Sequence, residues 1–162
     1  MTILYSLLMA VFPWFSSAPR QTLFTVEHNK NTNIVVYEAR MAADSLDEDE
    51  PVSAHWVMYA DHGQLEDLSF FEKRMAYGWD IEKVESRNMF KMFITAFPKR
   101  PVIIQSSGGV AFATVMVAGQ RSYLKKIYIY ADESKTIPEV KYVDMFGETI
   151  VGRRAVTERL TP

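Results

Sequence analysis

From Gln21 onward the chain is written in a period of two, with short runs of β-branched and aromatic residues broken by Gly, Pro and Asn. Successive side chains of a strand point to opposite faces, so this alternation suits a half-buried sheet, whereas a helix repeats its apolar residues every three or four positions. The pattern predicts eight strands, over residues 22–27, 33–41, 52–60, 89–97, 102–105, 110–118, 123–130 and 140–145. Short connections rich in turn residues make neighbouring runs antiparallel. In 89–97, Phe90, Met92, Ile94 and Ala96 share one face, and Pro98 and Pro101 close the run. Residues 110–117 are apolar on both faces, which predicts a central strand. Ser106-Ser107-Gly108-Gly109 and Ala118-Gly119-Gln120-Arg121 both read as hairpins, the second with Gly119 at the first central position of a type II′ turn.

One segment has a helical period. Over 65–77, Leu65, Leu68 and Met75 fall on one stripe with Phe71 near it. Ser69 and Glu72 have capping-box spacing, so the regular helix is expected to begin there. Gly78 stands where a left-handed C-terminal residue is expected, and Lys73 and Arg74 suit the negative end of the helix dipole. The expected fold is all-β or β-dominated: an antiparallel meander, closed or partly closed into a barrel, with one packed helix. A two-sheet sandwich is the alternative. A length of 162 residues fits one such domain, placed at 19–162.

The first eighteen residues are of another kind. Residues 3–15 are almost wholly apolar but too short to span a bilayer, and Ser16-Ser17-Ala18 supplies the small residues of an export-signal cleavage site. Residues 1–18 are therefore expected to be a signal peptide or a short N-terminal anchor. No Lys or Arg precedes the apolar run, and Pro19 would follow the scissile bond, where its ring makes a poor substrate. The expected location is the periplasm or cell envelope, or outside the cell, with membrane contact only through an uncleaved N-terminal segment.

Composition removes whole classes. With no cysteine there is no disulfide framework, thiolate metal site or cysteine nucleophile. Lys and Arg number 18 against 20 Asp and Glu, so no global field draws the chain to nucleic acid, and no such partner is expected. The acidic run 44–50 lacks the spacing and glycine of an EF-hand and reads as a solvated loop. His28, His55 and His62 are the only histidines, and nothing in their spacing makes a metal site or implies a cofactor. No common catalytic signature is present; Ser106 and Ser107 read as hairpin residues, not nucleophiles. Tyr77, Trp79, Tyr123, Tyr128 and Tyr130, with Arg121, Lys125 and Lys126, offer an aromatic and cationic surface for a sugar or ring, although strand aromatics more often pack against neighbours.

Four segments carry a resemblance: E-H-N-K-N-T-N-I-V-V-Y-E-A from Glu27, H-W-V-M-Y from His55, K-R-M-A-Y-G-W from Lys73 and F-G-E-T-I-V-G from Phe146. In this order they resemble the bacterial domain-of-unknown-function 4833 family, over roughly 22–160, with 29–37 the most specific part. The resemblance implies an exported, uncharacterised domain and supplies no catalytic residues. A physical reading of the same segments places a polar loop and a helix end at one barrel mouth. Glu27, Lys30, Asn31, Asn33, Arg74, Tyr77 and Trp79 would line it, as a site for a small apolar or carbohydrate ligand. The first functional expectation is thus a cell-envelope binding or accessory domain. A hydrolase or other enzyme of unrecognised type using the mouth residues is second, and a structural or assembly partner third.

Overall fold

The computed structural model describes residues 20–85, 88–132, 134 and 138–161. The expected export segment lies outside them. Five strands come first: β1 (Arg20–His28), β2 (Ile34–Ala42), the two-residue β3 (Ser45–Leu46), β4 (Val52–Met58) and β5 (Gln64–Asp67). The helical turn α1 (Phe70–Glu72) follows. Seven more strands complete the chain: β6 (Trp79–Lys83), β7 (Met89–Ile94), β8 (Val102–Ser107), β9 (Val110–Val117), β10 (Gln120–Asp132), β11 (Glu139–Thr149) and β12 (Ala155–Leu160). β1, β2, β4 and β5 form one antiparallel meander and β6 to β12 a second.

The two meanders meet on β10. One edge of this strand is shared: Gln120–Tyr123 pair antiparallel with β9, and Lys126–Ile129 pair in parallel with β1. Its other edge carries β11 along almost its whole length. The sheet forks here and curls into a half-barrel, and side chains from both arms, among them Phe24, Val35, Tyr37, Met92, Ile94 and Ile104, form one buried core. β5 and β6 stand at the two ends of the strand order. Side chains bridge the gap on the β6 side: the Tyr37 and Trp79 rings lie 5.6 Å apart, the Tyr37 hydroxyl donates to the Tyr77 carbonyl at 2.6 Å, and Lys83 pairs with Glu48 at 2.9 Å. The β-dominated, partly closed barrel expected from the alternation is what forms.

Several local expectations are corrected. The helix is confined to Phe70–Glu72 and continues as a wider π turn over Lys73–Tyr77, while Gln64–Asp67 is strand. The Ser69–Glu72 capping box does form and sets the start of the helix. Gly78 is extended, with φ −75° and ψ 174°, and not left-handed. Its N–H closes the π turn on the Lys73 carbonyl at 2.9 Å, and a Cβ there would lie 2.1 Å from the same oxygen. Glycine is required for close approach, not for a special φ. The β9–β10 turn centres on Ala118 and Gly119, both at positive φ, which is type I′ and not II′. β9 is central in its hydrogen bonding, but Val110 and Met116 on one face are exposed.

Candidate binding site at the barrel mouth

A cavity of about 650 Å³ opens at the end of the half-barrel where β1 and β4 finish, β2 begins, and β10 passes to β11. The β1–β2 loop forms one side, and β5 with the helical turn forms another.

The loop is held by its own asparagines. Asn29 both donates to and accepts from the backbone of Ala131 at 2.9 Å, tying the loop to the end of β10. Asn31 accepts from the Asn33 N–H at 2.9 Å, closing an Asx turn, and the buried Asn33 accepts from the Ala60 N–H at 3.2 Å. These amides build the rim. The Lys30 N–H donates to Nδ1 of His28 at 3.1 Å, which leaves the proton of a neutral imidazole on Nε2. The Lys30 ammonium is exposed, with no ion-pair partner among the described residues.

Behind the rim stands an aromatic wall. Trp56 packs edge-on with Tyr77 (centroids 5.1 Å apart) and with His28 (5.5 Å). The Trp56 indole N–H donates to Glu72 at 3.1 Å, and the other Glu72 oxygen accepts from the Ser69 N–H and hydroxyl at 2.8 and 2.7 Å. The carboxylate that caps the helical turn therefore also fixes the indole. Tyr77 is anchored from beneath, since its carbonyl accepts from Tyr37. Burial, and then neighbouring Tyr77, push the Tyr37 phenol far above the usual tyrosine range, so this donor keeps its proton. Glu66 lies directly across from Trp56 in the β4–β5 register, on the same face of the sheet, and Asp67 follows it into the lining. Phe71 and Met75 complete the outer lip, 71% and 45% exposed.

Of the residues expected at the mouth, Lys30, Asn31, Asn33 and Tyr77 line this cavity. Glu27 does not; it pairs with Lys126 at 3.1 Å, beside the parallel β1–β10 seam. Trp79 lines a second hollow of about 430 Å³, between β6 and the loop 48–51. Arg74 is exposed on the helical turn and lines neither hollow. Sequence reasoning missed Trp56, Glu66 and Glu72 as site residues. Trp56 and Met58 alternate along β4 toward the mouth, and Glu72 was visible in the capping box.

Other candidates resolve locally. His55 Nδ1 lies 3.6 Å from Glu38, and neither residue lines either hollow. His62 occupies a left-handed position beside the turn Tyr59–Asp61. Among the described residues no group of three or more His, Asp or Glu could hold a metal ion. In the acidic loop, Asp47 accepts from the N–H groups of Asp49 and Glu50, Glu50 pairs with Arg40, and Glu48 pairs with Lys83. The aromatic and cationic surface is largely engaged by residues beside it. Arg153 lies over Tyr123, Arg159 over Tyr142, Tyr142 stacks on Tyr130, and Lys126 lies over Phe146.

The family model for Domain of unknown function (DUF4833) matches residues 24–159, from within β1 to within β12. No curated protein and no solved structure matches the chain.

Proposed function

The chain belongs to this family, and we propose that it is an exported cell-envelope domain that holds a small, partly apolar ligand in the mouth cavity. One observation carries the reading: Phe71 and Met75 lie open to solvent on the lip of a cavity whose volume suits a small molecule. Apolar side chains exposed on the lip of a cavity gain little from water and much from an apolar occupant. Three of the four segments that carry the family resemblance, those beginning at Glu27, His55 and Lys73, supply residues to this lining. The export half of the proposal rests on the apolar run 3–15 and the small residues after it.

Native mass spectrometry of the protein purified from its host tests the binding half. The expected result is a bound small molecule that is lost in Phe71→Asp, a substitution at an exposed position that leaves the fold intact. A protein with no adduct, whose thermal stability also fails to respond to host extract, overturns it. N-terminal sequencing tests the export half: a mature chain that starts after Ala18 is expected, and a cytoplasmic protein retaining Met1 counts against it.

A further inference from the structure

We infer that the ligand of the mouth cavity carries a cationic head, an amine or quaternary ammonium, on an apolar body; this rests on the proposed binding role and names its chemistry. Among the described residues, the charged members of the lining are unequal in sign. Lys30 stands alone on the β1–β2 loop, while Glu66, Asp67 and Glu72 come from β5 and the helical turn. Glu66 and Asp67 have no ion-pair partner among the described residues, unlike the charges of the β10–β12 ribbon, where Asp144, Glu148 and Glu158 are each matched by an arginine.

Their setting points the same way. Glu66 sits across from the indole of Trp56, the best of the aromatic side chains for holding a cation, and Tyr77 lies beside that indole. An ammonium placed against this wall meets the aromatic cluster and Glu66 together, whereas an anion there would lie near the carboxylates of Glu66 and Glu72. The apolar body follows Phe71 and Met75 outward along the lip. The tryptophan donor is already spent on Glu72, so the indole has no N–H left for an anionic head. This separates an ammonium from a phosphate or carboxylate head.

The test compares three short-chain probes that differ only in their heads, octyltrimethylammonium, octyl glucoside and octyl sulfate, each titrated calorimetrically into the full chain below its micelle concentration. The cationic probe is expected to bind about tenfold more tightly than the glucoside, and the sulfate more weakly than either. Glu66→Gln with Asp67→Asn lies on an exposed edge strand, and it should remove most of the preference of the cation over the glucoside. Lys30→Gln should hold or raise the affinity for the cation. Equal binding of all three heads, or tightest binding of the sulfate, overturns the inference and leaves the cavity a binding site. Failure of every probe, glucoside included, overturns the binding role with it.

Discussion

The two arms of this sheet treat the same residue types differently. On the β10–β12 ribbon, aromatics and charges are matched to one another: Arg159 pairs with Asp144 while lying over Tyr142, Arg153 pairs with Glu148 while lying over Tyr123, and Arg100 grips Glu158. At the mouth, Phe71 and Met75 are exposed, and Glu66 and Asp67 have no ion-pair partner among the described residues. These acidic groups of the ribbon are matched from within the chain. The mouth leaves apolar area and negative charge uncovered, which is the pattern the proposed binding role requires.

The sharpest way to break this contrast is at its two tight glycines. Gly78→Ala drives a methyl against the Lys73 carbonyl and should cost about 3 kcal/mol in chemical denaturation, with loss of mouth ligand. Gly147→Ala, whose Cβ would meet the Ser122 Cβ at 3.0 Å, strikes the ribbon instead and should cost about 1–2 kcal/mol without touching binding.

Tyr37→Phe comes next, removing the donor under Tyr77 at a cost of about 1 kcal/mol and weakening ligand binding. Its pH dependence is specific. Because burial raises the folded pKa above the unfolded value, the Tyr37 contribution is complete below about pH 10 and falls as pH rises, by about 1.4 kcal/mol per pH unit while only the unfolded chain is ionised. Denaturation curves of Tyr37→Phe should lack that share of the alkaline loss.

On the ribbon the sign is opposite. Glu158 accepts from both terminal guanidinium nitrogens of Arg100 and from the Ala118 N–H, and the arginine hydrogen bonds chiefly hold its pKa below the usual carboxylate range. Its contribution is present above the unfolded pKa and is lost as pH falls through the folded one. Glu158→Gln should therefore cost about 1 kcal/mol at neutral pH, with the gap to the parent narrowing in acid and ligand binding unchanged. The smallest effect belongs to Ala118→Gly. Relief of a left-handed alanine at φ 48° offsets the extra freedom of glycine in the unfolded chain, and stability should move by no more than about 0.5 kcal/mol.

The ribbon was also the more legible arm. Strands that bury one face announce themselves by alternation, and all eight of the expected runs are strands. The missing ones fail for identifiable reasons: β3 has two residues, β5 is exposed throughout, and β12 is only half-buried on its better face. β6 does alternate, with Trp79 and Ile81 half-buried, but its five residues follow a segment read as a helix end. The helix is shorter than its period implies, although Leu65, Leu68 and Met75 share a helical stripe with Phe71 near it. Of the four residues grouped there, only Leu68 is buried; the others are exposed, Phe71 and Met75 along the cavity lip. Periodicity records that apolar residues share a face and not what that face meets. The β1–β2 loop was legible as polar and asparagine-rich, whereas the meeting of Trp56, Glu66 and Tyr77 depends on the register of β4 with β5 and on a π turn, neither of which has a local sequence signal.

The shared edge of β10 also sets a timetable. β1 emerges first from the ribosome, yet Asn29 and its partner Ala131 are separated by 102 residues. At about 5–20 residues per second, the early meander waits several seconds before its parallel neighbour exists. Until then the apolar faces of β1 and β2 have no covering arm, and the β1–β10 seam is a non-local pairing of the kind that closes slowly. The topology thus keeps the sheet open until most of the chain has been synthesised.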